Sequence, residues 1–282
     1  MKKILLWLLS FLITAGFAVF QRATGPTYPA RGSLLTASGV KVSYRLPRSC
    51  TIGANDCGLK LKTDKPLSGI IEWKRYKTSD PVTAVPFTAS PDRPCAFAPD
   101  QPPAGKLEYA VYAVENGARS LIGPQKVVTR FKGAVPAWVL APHIFFMFFF
   151  MMISVRLALS ALMNWPIMKS VIFLNLAFLA AGGFILGPLT QHYAFGAYWT
   201  GFPFGHDLTD NKTLLPLIFW AAAAVSVMRG GANLRKWVLA AFLATAAVYF
   251  IPHSVLGSEL DYSTLEKTGS QQVPAAGKNG RP

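Results

Sequence analysis

The sequence is short of negative charge and lacks the motifs of several common enzyme classes. Its 282 residues include 13 Asp and Glu against 28 Lys and Arg, and charged residues make up only 15% of the chain. It contains no Gly-rich phosphate loop, no HExxH zinc motif and no GxSxG nucleophile motif. No CxxCH motif for covalent haem attachment is present either. The sequence therefore shows none of the usual signatures of a nucleotide-binding enzyme, zinc protease, serine hydrolase or c-type cytochrome.

The excess of basic residues does not have the pattern of a nucleic-acid-binding protein. Basic residues are scattered singly through residues 22–136, without a stripe that alternates with stacking aromatic side chains. Hydrophobic residues make up 52% of the chain, which is too apolar for an ordinary soluble enzyme. A net charge of +15 in such a chain favours a basic membrane protein beside anionic lipid, with the bilayer and not nucleic acid as its partner.

Long apolar runs account for the high hydrophobic content. After Met-Lys-Lys the chain is apolar from Ile4 to about Phe20, so residues 1–21 are predicted to be a signal anchor or a signal peptide. Later runs of about 20 residues each are long enough to span a bilayer. They predict a four-helix transmembrane bundle within 137–257, or five helices with the anchor, at 137–163, 170–195, 213–229 and 237–257.

The distribution of charge predicts the orientation of these spans. With the N-terminus inside, the turns at 164–169 and 230–236 face the cytoplasm, and they and their edges contain no Asp or Glu. The basic residues there are Arg156, Lys169, Arg229, Arg235 and Lys236. All thirteen acidic residues then lie outside. The sequence predicts a protein of the bacterial inner (cytoplasmic) membrane, with its non-membrane domain and its C-terminus on the outer side.

Residues 30–132 alternate apolar and polar side chains in short runs separated by Pro, Gly and Asp. A period of two is typical of strands with one buried face. The clearest examples are 39–46, 69–76, 106–114 and 125–131. We expect an exported all-β sandwich, which makes the whole chain an α+β multidomain membrane protein. The polar tail, 263–282, is predicted to be disordered.

The stretch "PPAGKLEYAVYAVENGARSLIGP" (102–124) resembles the last hairpin of fibronectin type III and related immunoglobulin-like domains. In that resemblance Tyr109 takes the place of the corner tyrosine, and Asn116-Gly117 forms the tight turn. Trp73 lies later than the tryptophan usual in fibronectin modules. The resemblance implies a domain that binds, spaces or presents, whereas the membrane half resembles no family.

All three cysteines lie in this β domain. An exported domain is oxidised, so Cys50, Cys57 and Cys95 allow three single disulfides, each leaving one thiol. Cys50–Cys57 is the most local pairing.

The predicted topology brings all four histidines to the outer side. His143 and His253 lie at similar depths on different spans, and ionisable groups inside a membrane indicate function. Together they would supply the two axial ligands of haem b. A transition metal would instead be bound by six residues in and around the outer loops. These are His192, His206, Asp207, Asp210, Glu259 and Asp261.

The stretch "FPFGHDLTDNKT" (202–213) also has a simpler interpretation as a loop and a helix start. We expect Asp210 or Thr209 to cap the next helix, and Lys212 to pair with a nearby carboxylate.

Three functional hypotheses remain, and enzymatic activity stays open. The first is a redox or electron-transfer protein with haem b or a metal. The second is a non-catalytic accessory or assembly protein whose β domain docks an exported or membrane protein, and the third is a zinc-dependent membrane hydrolase.

Overall fold

The computed structural model describes residues 2–54, 57–89, 99–252 and 259–263. The described residues form two compact units. Those of Met1–Pro26 and Val135–Ser258 make a helical unit, and those of Thr27–Ala134 and Glu259–Pro282 make a β unit. The chain therefore returns to the β unit after its last helix.

The helical unit consists of long helices joined by short loops. Its third helix is continuous over Lys169–Phe195, with a π-helical segment at Ala180–Leu186 between α3 and α4. The elements are α1 (Lys2–Thr24), α2 (Ala137–Leu162), α3 (Lys169–Leu179), α4 (Gly187–Phe195), α5 (Leu208–Met228) and α6 (Leu234–Phe250).

Four helices are long and apolar enough to cross a membrane, which confirms most of the expected long apolar segments. They are Lys3–Thr24, Ala137–Leu162, Lys169–Phe195 and Leu208–Met228. The last begins before the predicted 213–229, because a capped polar turn precedes the apolar run. The segment expected at 237–257 contains α6, which has 17 residues, while 253–257 lie outside the described residues.

The helical unit has its own buried core. Phe150 of α2, Leu179 of α3, Trp220 of α5 and Val238 of α6 are fully buried in one hydrophobic cluster. Trp220 donates its indole N–H to Thr245 Oγ1 at 3.0 Å, which satisfies a polar atom inside that core. Large apolar side chains from four helices therefore hold this unit together.

The β unit has nine strands in its described residues. They are β1 (Ala30–Leu35), β2 (Lys41–Leu46), β3 (Ser49–Thr51), β4 (Lys60–Thr63), β5 (Leu67–Arg75), β6 (Thr83–Ala89), β7 (Lys106–Glu115), β8 (Ala118–Leu121) and β9 (Val127–Lys132). The three-stranded sheet has the order β1-β2-β4, and the six-stranded sheet has the order β3-β9-β7-β5-β6 with β8 paired to β7. The β3–β9 pair is parallel and the others are antiparallel.

Both sheets contribute to one hydrophobic core. Val42 and Leu61 from the three-stranded sheet share a cluster with Ile71, Val111 and Val127 from the six-stranded sheet. Core residues lie two apart along the chain, as at Tyr109, Val111 and Ala113 of β7, which is the period of two that the sequence predicted. The strand pattern of the sequence is thus confirmed as a region of two sheets.

The predicted hairpin is present at the end of β7. Glu115 pairs with Ala118, and the two residues between them have positive φ, 49° at Asn116 and 79° at Gly117. Such a turn favours Asn-Gly because most other side chains are strained there. The Tyr109 hydroxyl donates to Pro47 O at 2.8 Å, far from it in sequence, so it ties β7 to the segment after β2. A corner tyrosine would bond a few residues upstream.

Covalent and C-terminal contacts complete the β unit. Cys50 and Cys57 form a disulfide, the local pairing among those the sequence allowed, while Cys95 lies outside the described residues. Residues 259–263 form a short strap on this unit, with Leu260 N donating to Ala104 O at 3.2 Å. The predicted disordered tail lies outside the described residues from 264 onward.

Candidate functional site

The start of α5 is fixed by Asp207. Its carboxylate accepts a hydrogen bond from Thr209 N at 2.7 Å, so Asp207 is the N-cap. The sequence had indicated Asp210 or Thr209 for this role. Neither is the cap, because the helix begins at Leu208 and Asp210 therefore lies inside its first turn.

Asp210 holds the loop that precedes the helix. Its side-chain Oδ2 accepts from Thr200 N at 2.6 Å and from Gly201 N at 3.0 Å. A Cβ added at Gly201 would lie 2.6 Å from Asp210 Cβ, so the close approach of this backbone requires glycine. Asn211 Oδ1 extends the contact by accepting from Phe202 N at 2.7 Å. These carboxylate and amide oxygens are therefore occupied by the protein's own backbone.

Lys212 lies in α5, five residues after the N-cap Asp207. Its Nζ donates to the carbonyl oxygens of Ile251 and Pro252, both at 3.0 Å. The sequence had predicted a carboxylate partner for this lysine. Backbone carbonyls after a helix end lack intrahelical partners, and α6 ends at Phe250, so an ammonium group is well suited to this position.

His143 is fixed by the π-helical segment. Its Nδ1 lies 2.9 Å from Gly182 O, and Gly187 N donates to the same carbonyl in the wider π turn. A carbonyl can only accept, so Nδ1 carries the proton and Nε2 has the free lone pair. His253, its predicted partner at a haem, lies outside the described residues.

The glycines of the π-helical segment allow neighbouring side chains to approach closely. A Cβ at Gly182 would lie 2.9 Å from Met147 Sδ, and one at Gly183 would lie 2.5 Å from Thr213 Cγ2. Met147 thus packs beside the segment that holds His143. Met151, on the same face of α2 in the sequence pattern, is fully buried. π turns of this kind are frequent at functional sites.

The two remaining described histidines have different environments. The ring of His192 stacks on Tyr198, with centroids 4.1 Å apart and planes 2° from parallel. Its Nδ1 is buried and has no hydrogen-bond partner among the residues the structure describes. His206 is exposed in the loop before α5.

Glu259 and Asp261 belong to the β unit. Glu259 forms ion pairs with Lys77 at 2.8 Å and Lys106 at 2.5 Å, and Asp261 Oδ1 accepts from Ser263 N at 2.9 Å. The hydrogen bonds from the two lysines lower the pKa of Glu259, even though burial alone would raise it. The six predicted metal ligands are therefore divided between two units. Within the described ranges, no group of three or more His, Cys, Asp or Glu is arranged to hold a metal.

Gln191 and Thr200 belong to this network but were not predicted from the sequence. Gln191 Nε2 donates to Thr200 Oγ1 at 2.7 Å, which joins α4 to the Asp210 contacts. Neither residue type has a distinctive spacing, so no sequence signal marks them. The network as a whole fixes backbone segments at helix ends. No protein-family model matches the chain, and no curated protein or solved structure matches it either.

Proposed function

We propose that this protein is an integral membrane protein with a non-catalytic accessory or assembly role, in which the helical unit is the anchor and the β unit docks a partner protein. One observation carries the proposal. Two buried charged side chains at the start of α5 bind backbone groups: Asp210, one of the predicted metal ligands, accepts from two amides, and Lys212 donates to two carbonyls. Such contacts lock loops and helix ends together, which is a structural role for these charged groups.

The proposed location is the bacterial inner membrane. The four long apolar helices and the absence of acidic residues from the turns at 164–169 and 230–236 support it. The N-terminus would then be inside and the β unit outside. The Asn116-Gly117 hairpin and the shared core of two sheets favour an immunoglobulin-like or fibronectin-like sandwich, a class that mostly binds or presents.

Site-specific photo-cross-linking in cells tests the docking role. A cross-linking residue is placed at exposed positions of the β unit, such as Val82 and Leu121, and at the membrane-facing candidate Ile218 as a control. We expect one discrete protein adduct that depends on the position within the β unit. If β-unit positions yield only the background seen at Ile218, the docking proposal is wrong.

A second candidate function is redox chemistry with haem b or a transition metal at His143. The specific observation is the Nδ1–H bond to Gly182 O, because ligating histidines usually donate their other ring N–H in this way. His143 would supply Nε2, and His253 is the predicted second ligand for haem.

Elemental analysis and an absorption spectrum of the purified, detergent-solubilised protein separate the two candidates. Protein prepared without added metal is compared with the His143→Ala and His206→Ala variants. The accessory role predicts no stoichiometric metal in any of them. Near-stoichiometric iron with a haem spectrum that His143→Ala abolishes and His206→Ala preserves would overturn it and support electron transfer.

A further inference from the structure

The outer face of the three-stranded sheet gathers basic residues from separate parts of the sequence. Register places Arg31 of β1 opposite Arg45 of β2, and Arg45 opposite Lys60 of β4. Side chains on one face of a strand recur every second residue. The next row on the same face is Ser33, Ser43 and Lys62, and the row after it contains Lys41. We call this surface the basic face, and it consists of Arg31, Lys41, Arg45, Lys60 and Lys62, all of them exposed.

The side chains of the basic face are not ion-paired within the part of the chain that the structure describes. Among the described residues, none of its five cations has a carboxylate oxygen within 4.0 Å. Asp64, which follows β4, binds the backbone N of Lys41 at 3.0 Å, not the ammonium group of a lysine. Like charges directly opposite each other on a sheet destabilise it. The row formed by Arg31, Arg45 and Lys60 therefore opposes folding slightly, and an anionic partner would relieve that repulsion.

The outer face of the six-stranded sheet provides the contrast. There Arg119 pairs with Glu72 at 2.7 Å, and Glu108 pairs with both Lys74, at 3.4 Å, and Lys126. These three cations are paired with carboxylates of β5 and β7. Among the described residues, the basic face thus differs from these paired charges, because its cations lie in neighbouring positions on adjacent strands without an ion-pair partner.

We propose that the basic face binds the phosphate headgroups of an anionic lipid bilayer. Its charges are spread over three adjacent strands, about 4.8 Å apart, as an exposed array that suits many headgroups better than one small ligand. An anionic membrane surface attracts such clusters of Lys and Arg. The proposal rests on the membrane anchoring proposed above.

Chain length favours the bilayer over a soluble acidic partner. Only residues 25–29 separate the end of α1 from β1, a connection that spans at most about 20 Å. The connection from β9 to α2, residues 133–136, is one residue shorter. If α1 and α2 span the membrane, the strand that carries Arg31 is tethered near the headgroups, which makes their local concentration high.

Amine labelling of the full-length protein in lipid nanodiscs tests the proposal. Nanodiscs of phosphatidylcholine alone are compared with nanodiscs containing equal phosphatidylcholine and phosphatidylglycerol, and labelling of each lysine is followed by mass spectrometry. Lys41, Lys60 and Lys62 report on the basic face. Lys77 and Lys126 are internal controls, with side chains 64% and 58% exposed.

We expect labelling of the three basic-face lysines to slow at least about threefold with phosphatidylglycerol, and about 0.5 M salt to abolish the difference, because salt screens exposed charges. The controls should be unchanged. Arg45→Thr should reduce the protection of Lys60 and Lys62, whereas Arg119→Gln, on the six-stranded sheet, should not.

The outcomes distinguish this proposal from the anchoring on which it rests. A chain that enters neither kind of nanodisc would overturn the anchoring itself. A chain that enters both, with equal labelling of the basic face in each, would overturn headgroup binding alone. Protection seen in native membranes but not with phosphatidylglycerol would identify an acidic protein as the partner and reject the lipid.

Discussion

Charged side chains have opposite roles in the two units of this molecule. In the helical unit, Asp210 and Lys212 are only 6% and 7% exposed, and each binds two backbone groups at a helix end. In the β unit, the Glu72–Arg119 pair joins side chains that are 28% and 54% exposed, and among the described residues no cation of the basic face is ion-paired with a carboxylate. The buried charges of Asp210 and Lys212 therefore stabilise backbone structure, whereas the charges on the outer faces of the two sheets set the surface potential of the β unit.

This difference affects stability, because a buried backbone group that loses its hydrogen-bond partner cannot form a replacement hydrogen bond with water. Leaving such a group unsatisfied costs its full desolvation energy, while exposed ion pairs contribute little. Substitutions of charged residues should consequently have large effects on the stability of the helical unit and small effects on that of the β unit. Four tests follow in order of expected effect, of which three address this contrast and one addresses close packing in the helical unit.

The largest effect is expected for Asp210→Ala. The change leaves the amides of Thr200 and Gly201 without their acceptor, and we expect a loss of about 3 kcal/mol of unfolding free energy. Thermal unfolding of the detergent-solubilised protein measures the change. His206→Ala is the matched control, since this histidine is exposed in the same loop. Equal stability of the two variants would show that Asp210 does not hold the loop.

The next effect concerns close packing rather than charge. Gly183→Ala places a methyl group 2.5 Å from Thr213 Cγ2, and overpacking of this kind costs about 2 kcal/mol. The double variant Gly183→Ala, Thr213→Ser removes the clashing methyl group and should recover most of the loss. Thermal unfolding of both variants is the measurement, and failure of the second change to restore stability would place the strain elsewhere.

Local patterns predicted the elements of both units, but not the contacts between distant residues. Alternation indicated the strands, and Asn116-Gly117 indicated the hairpin turn, because each depends on neighbours in the sequence. Lys212 and Ile251 lie 39 residues apart, and only the packing of α5 and α6 brings them together. The general expectation of a loop and helix start at 202–213 was correct, but the cap and the lysine's partner were not.

Local sequence patterns did not predict the basic face of the β unit either. Arg31, Arg45 and Lys60 are scattered in the sequence, where they gave no sign of a basic stripe. Strand register places them in one row, and register depends on which strands pair. Of the predicted metal ligands, Glu259 and Asp261 follow the last helix in sequence but belong to the β unit, which no local pattern indicated.

A smaller loss of stability is expected in the strap at 259–263 when the pH is lowered. The pKa of Glu259 is lowered by the hydrogen bonds from Lys106 and Lys77, despite the opposing effect of burial. This contribution is fully present above the ordinary carboxyl pKa of about 4.3 and is lost as pH falls through the lower folded value. It should amount to less than about 1 kcal/mol, as for other exposed pairs.

Hydrogen exchange at Lys106 reports on the strap, because its amide donates to the Tyr262 hydroxyl at 3.1 Å. Protection, corrected for the intrinsic rate, should fall between about pH 5 and pH 3. Asp80 titrates nearby, where its pair with Arg75 lowers its pKa. Glu259→Gln separates the two carboxylates: its protection should be lower at pH 6 and nearly constant with pH. An unchanged titration in this variant would assign the effect to Asp80.

The smallest effects are expected for substitutions on the outer faces of the two sheets. The sign of the change in unfolding free energy should differ between the two faces. Arg45→Thr removes the middle cation of the basic face, so it should raise the unfolding free energy by about 0.3 kcal/mol. Glu72→Gln breaks an ion pair with Arg119 and should lower it by about 0.5 kcal/mol. Thermal unfolding at low salt measures both, and both changes should shrink at high salt because exposed charges are screened. If Arg45→Thr destabilised the protein at low salt as Glu72→Gln does, the basic face would hold a compensating contact, and the argument for an external anionic partner would lose its basis.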